Sequence, residues 1–281
     1  MVASAILLLS VLQIAQVPER TPSDAQLELG FEQMYALRFS EAQALFAEWQ
    51  AAHPDDARGP VAEAAGLLFA ELNRLGVLET EFFEDDGSFE ARRKMRPDPK
   101  VRVRFERSLS RGEALATRRL ATNPRDPDAL FAMTLVSGLR ADYLALIDKK
   151  NMAALKHTRA GSEWAKKLLT VDPTYYDAYL ATGVSNYIVG SVFAPLRWLL
   201  KLGGYSGNRE EGIEHLAVTA ERGRLLAPFA RLLLAVAHLR AGERQAARRL
   251  LVQLRDDFPS NPLFAKEIAR LDRLELPATN K

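Results

Sequence analysis

Any catalytic or metal-binding reading of this sequence starts from four histidines, His53, His157, His215 and His238, because the chain contains no cysteine. That absence removes disulfides, thiolate zinc sites and thiol nucleophiles together. Glu211 and His215 stand four apart, a spacing that would let them share a metal from one helical face and that equally describes a surface Glu–His pair. His53 precedes Pro54 at the close of a helix, where an imidazole meets the carbonyl end. His238 falls among Leu232, Leu233, Leu234 and Val236, a packed or groove-lining position, and His157 has no acid within four positions. No HExxH, GxSxG or Walker-type phosphate loop occurs. Gly203-Gly204-Tyr205-Ser206-Gly207-Asn208 is glycine-rich before a helix, but no strand precedes it and no Lys-Ser/Thr follows, so it reads as a turn. The expectation is a chain with no catalytic residues, no metal and no cofactor.

The elements that carry these residues repeat. Pro54, Pro124, Pro173 and Pro259 each close one helical stretch and open another. Twelve residues before each proline stands a small residue: Ala42, Gly112, Gly161 and Ala247. Three and four positions further on come Leu45, Leu115, Trp164 and Leu250, then Phe46, Ala116, Ala165 and Leu251, all on the same helical face. Ten residues after each proline a compact residue returns, as Ala64, Thr134, Gly183 and Ala269. Antiparallel helices approach closely only where a small residue admits a larger neighbour, so the two registers describe stacked helix pairs.

On these residues the chain resembles the tetratricopeptide repeat family, in which helix pairs of about 34 residues carry small residues at their contacts and end on a proline. The first copy holds Leu29, Gly30, Ala42, Phe46 and Pro54 in register, and the last holds Leu234, Ala235, Ala247 and Pro259. The resemblance implies an all-α, right-handed superhelical solenoid over residues 17–275, with a charged insertion at about 78–99 and degenerate central repeats. The expected helices lie near 24–37, 40–53, 57–76, 100–122, 126–147, 150–171, 174–191, 208–226, 228–241, 243–257 and 261–275, the last a polar cap, with a disordered tail at 276–281. A narrower stretch, LLKLGGYSGNREEGIEHL at 199–216, is similar to the tetratricopeptide repeat protein 39 family and the fungal inclusion-body clearance proteins at Gly204, Tyr205, Gly207, Arg209, Glu210 and Gly212. That likeness implies a binding protein without a catalytic role at the motif. The N-terminus departs from those intracellular relatives, so their cellular role is not carried over.

Residues 1–15 form an apolar run that stops before Val17-Pro18-Glu19-Arg20. Its length suits a secretory signal peptide over 1–16, and hence export to the periplasm or envelope. A first helix packed on the repeats and an uncleaved anchor are the alternatives.

The surface offers three candidate contact regions. Residues 79–90 carry Glu79, Glu81, Glu84, Asp85, Asp86 and Glu90 with no base, whereas 92–111 are rich in arginine and lysine, Arg102 and Arg104 among them. The two blocks either neutralise each other or leave a basic stripe for an acidic protein or anionic headgroups. No aromatic platform interleaves the arginines and the formal net charge is only +2, so nucleic acid is not an expected partner. FAPLRWLLKL at 193–202 is apolar on most of its circumference, and with Trp198 it would dock on a membrane surface or plug the solenoid. Tyr176, Tyr179, Asn186 and Tyr187 fall on a first helix of a repeat, the kind that lines a concave face, where tyrosines supply rigid contact area. The leading expectation is a non-catalytic scaffold holding a peptide or protein partner there. A membrane-peripheral assembly or lipid-handling factor using 193–202 and the basic stripe is the alternative.

Overall fold

The computed structural model describes residues 22–78, 96–191 and 206–275. Five stretches singled out above lie outside them: the apolar N-terminus, the acidic block with residues 92–95 of the basic one, the segment 193–202 with Trp198, the Gly203-Gly204-Tyr205 turn, and the tail 276–281. Among the described residues the chain is all-α: α1 Pro22–Tyr35, α2 Phe39–Ala52, α3 Arg58–Arg74, α4 Pro99–Thr122, α5 Pro127–Asp142, α6 Asn151–Val171, α7 Tyr179–Ser191, α8 Arg209–Arg222, α9 Ala227–Arg240, α10 Arg244–Asp257 and α11 Pro262–Glu275. A π-helical turn, Tyr143–Ile147, extends α5, and a 3-10 turn, Tyr176–Ala178, leads into α7. Each of these helices packs on the next, so that the described residues form five antiparallel pairs, α1/α2 to α9/α10, closed by α11. This is the stacked helix-pair array that the proline spacing predicts.

The repeated small residues sit where the helices touch. Ala42, Ala116, Ala165 and Ala247 are fully buried. A Cβ on Gly112 would come within 2.5 Å of the Val61 side chain, and one on Gly161 within 3.4 Å of Ser137. Ala269 departs from the pattern and is exposed, because among the described residues nothing packs beyond α11. At three helix starts the cap is local and polar. The Asp98 and Asp126 side chains accept the backbone N–H of Lys100 and Ala129 at the starts of α4 and α5, and Asn208 accepts those of Glu210 and Glu211 at the start of α8. In four pairs the first helix is followed by one left-handed residue: Leu37 (φ 60°), Gly76 (φ 68°), Lys149 (φ 57°) and Gly242 (φ 78°).

The pair α7/α8 is packed by glycine more than any other. A Cβ on Gly212 would lie 2.5 Å from the Tyr187 backbone nitrogen, and one on Gly183 3.0 Å from that of Leu216. Gly207 and Gly190 are equally close to neighbouring backbone, at Asn186 and Arg209. The described glycines of the 199–216 motif thus let two backbones approach, and that packing accounts for them without a bound phosphate.

The array also closes on itself. The Tyr35 hydroxyl at the end of α1 donates to the Leu225 carbonyl at 3.0 Å, and the Asn261 amide donates to the Tyr35 carbonyl at 2.9 Å. Phe69 of α3 meets Phe229 of α9 with ring centroids 5.5 Å apart. A charge network joins the starts of the first helices: Arg58 pairs with Asp24, Asp56 and Asp128 at 3.1, 2.8 and 3.1 Å, and Arg224 pairs with Glu28 and Asp24 at 2.6 and 3.4 Å. The Arg58 guanidinium also lies 5.5 Å from the Trp49 ring centroid. Among the described residues one helical stretch, Pro127–Ile147, is long and apolar enough to cross a membrane, and 61% of its most apolar 18 residues are buried inside this array.

A candidate binding cavity on the inner face

The first helices of the five pairs, α1, α3, α5, α7 and α9, turn one face toward a common interior. Between them lies a partly enclosed cavity of about 90 Å³. Its wall is almost entirely carbon, from side chains such as Phe31, Phe69, Leu135, Leu180, Val184 and Phe229. Two carboxylic acids line it, Asp177 and Asp142.

Asp177 is buried and fully engaged. Its carboxylate accepts the backbone N–H groups of Arg224 at 3.1 Å, Leu225 at 3.1 Å and Leu226 at 2.8 Å, which together form the approach to α9. Burial pushes its carboxyl above the ordinary aspartate value, and these three donors pull it back. The long-range cap also explains a boundary. The apolar pattern predicts a helix to 226, yet α8 stops at Arg222, because the next N–H groups turn to Asp177 and Gly223 adopts an extended conformation.

Asp142 sits opposite in character. It closes α5 just before the π-helical turn, and among the described residues nothing hydrogen-bonds to or pairs with its carboxyl. Asp142 is half-buried and lines the cavity, and burial alone pushes its carboxyl up to about 7. Its neighbour Arg140 is taken by Glu113 at 2.6 Å. Reasoning from sequence misses both acids. The available signal is that Leu135, Gly138, Leu139 and Asp142 fall three or four apart, so a lone acid continues an apolar stripe.

The residues singled out from sequence are placed elsewhere. From α7 and its leading turn the cavity takes Asp177, Leu180, Ala181 and Val184, and none of Tyr176, Tyr179, Asn186 or Tyr187. Tyr176 lies under Arg222 of α8, with the guanidinium 5.3 Å from the ring centroid. Tyr179 packs edge-on to His215 at 5.2 Å, and the Tyr187 backbone abuts Gly212. All four are partly buried. His215 shares a hydrogen bond of 2.9 Å with the Thr182 hydroxyl, His238 meets Glu243 at 2.6 Å, and His53 stacks on Trp49. Among the described residues no cluster of three or more His, Asp or Glu is arranged to hold a metal ion. Arg102 pairs with Asp148 at 3.2 Å and lies over the Tyr143 ring, and Arg104 reaches Glu63 at 3.5 Å. Arg102 and Arg104 of the basic stripe therefore join α4 to its neighbouring elements.

No protein-family model and no curated protein matches this chain. Among solved structures it is similar to the crystal structure of TTC0263, a thermophilic TPR protein in Thermus thermophilus, at 16% identity and a TM-score of 0.46, over 89% of this chain and 99% of that one.

Proposed function

We propose that this chain is a non-catalytic binding scaffold that holds a peptide or protein partner at its inner face, with a partner side chain seated in the cavity between the first helices. The carrying observation is the cavity itself: six helices, the five first helices and α6, contribute carbon to one partly enclosed space, which favours holding an apolar group. The likeness of 199–216 to families of binding proteins points the same way. Tyr187 lies beside the inner stripe of α7 and extends the contact surface. The apolar run at 1–15 supports work outside the cytoplasm, in the periplasm or envelope.

Site-specific photocrosslinking in producing cells tests this reading. Crosslinkers at Val184, Leu135 and Tyr187 should capture the same partner, while one at Trp164 on α6 should not. Absence of any common product from the three inner positions would sink the proposal, and recovery of the protein with Met1 intact from the cytoplasm would sink its export.

A further inference from the structure

The polar atoms on the cavity wall share one property: their protons are already spent. The Thr134 hydroxyl donates to the Leu130 carbonyl at 2.9 Å, and the Thr158 hydroxyl donates to the Ala154 carbonyl at 3.1 Å. Tyr35 donates to Leu225, and Asp177 holds its three backbone donors. What remains for a ligand is oxygen lone pairs, together with the Asp142 carboxyl, which has no partner among the described residues. A carbonyl or an anion would find no free donor on this wall unless Asp142 carried its proton. An ammonium group has three donors and no acceptor, and so complements it.

We propose that Asp142 and the cavity form a receptor for an alkylammonium group, meaning an aliphatic stem ending in one protonated amine. The size agrees. A cavity of about 90 Å³ is smaller than the roughly 150 Å³ apolar cavity that admits benzene, which disfavours a ring and favours a slim chain; being only partly enclosed, it lets a four-carbon stem extend out through its open side. That is the lysine side chain, so the ligand is either a lysine of the partner or a free amine of the same chemistry. The inference rests on the inner-face reading and names what anchors the partner there. The ammonium joins Asp142 as its counter-ion, and the Thr158 oxygen lies on the same wall to accept another of its protons; Thr134, eight residues from Asp142 on α5 and so about 12 Å away along the helix, lies beyond its reach. The groups that face Asp142 are few: Tyr35 from α1 and Asp177 before α7 are the other titratable residues on the wall, α3, α6 and α9 bring none, and Arg140 on α5 belongs to Glu113.

The test is an NMR titration of the full chain with n-butylammonium, with n-butanol, and with a capped glycine pentapeptide carrying one central lysine. Butylammonium should bind about tenfold more tightly at pH 8 than at pH 6, because only ionised Asp142 pairs with it. Butanol should show no such rise. Asp142→Asn should remove the pH dependence and weaken butylammonium at pH 8 by roughly tenfold, and Leu180→Trp should block both small ligands by filling the space. Tighter binding of the peptide assigns the site to a partner's lysine; binding of butylammonium alone assigns it to a free amine. Equal binding of butanol and butylammonium, or an Asp142→Asn variant that binds as before, overturns the inference. If crosslinks form at Val184 while no amine binds, the inference fails and the scaffold reading stands.

Discussion

Asp177 and Asp142 line the same cavity, and their surroundings differ in kind. Asp177 meets three N–H groups at the start of α9, where a negative charge also suits the helix dipole. Asp142 stands at the other end of its helix, next to the π-helical turn, with carbon around it and no donor among the described residues. Two acids of equal chemistry are thus used differently: one is tied into the seam that closes the array, and the other is left facing a space. An acid whose valences are all met holds structure together, and an acid left unmet in an apolar wall is available for something to bind.

The largest expected effect breaks the structural member of the pair. Asp177→Ala strands two buried N–H groups and one half-buried one and should cost about 3 kcal/mol in urea unfolding, as buried polar groups do when their partner is deleted. A loss below about 1 kcal/mol would mean that water replaces the carboxylate and that the seam is open.

Asp142→Asn should act in the opposite direction. A carboxyl whose folded value is near 7, against an unfolded value near 3.8, keeps its proton in the folded state while the unfolded state releases it. Stability is therefore complete below the unfolded value and falls as pH rises from about 4 to 7. The amide has no charge to bury. It should stabilise the protein at pH 8 by on the order of 2 kcal/mol, after allowance for screening within the cavity, and by less than about 0.5 kcal/mol at pH 4. Equal effects at both pH values would show that the group is not held in its neutral form.

The smallest effect sharpens the contrast with charged groups at the surface. Arg102→Gln removes an exposed partner from Asp148 and a cation from the Tyr143 ring, and should cost roughly 0.5–1 kcal/mol, falling with added salt. A salt-independent loss several times larger would place Arg102 in the core network.

The sequence carries local information well and non-local information poorly, and these acids show why. The prolines, the small residues at Gly112 and Gly161 and the apolar stripes set the described helices to within a few residues of their observed ends, because each signal acts within one helix pair. The end of α8 is set instead by a carboxylate 47 residues away, and the closure of the array joins Tyr35 to Leu225 across 190 residues, with no mark in either local pattern. The chemistry of the tyrosines suggests groove residues, yet the inner stripe of α7 is Leu180, Ala181 and Val184, since glycine packing turns Tyr176 and Tyr179 toward α8. Asp142 is visible as an acid in an apolar stripe, but its lack of a partner depends on six helices at once.

The central claim is that Asp142 stands unpaired against an apolar inner wall, and a carboxyl-carbon NMR titration of that one residue tests it most directly. A midpoint near pH 7 in the free protein, moving down when n-butylammonium is added, is the predicted result. A midpoint at or below the ordinary aspartate value of about 4 would show that the carboxyl is solvated or already paired, and would contradict the account.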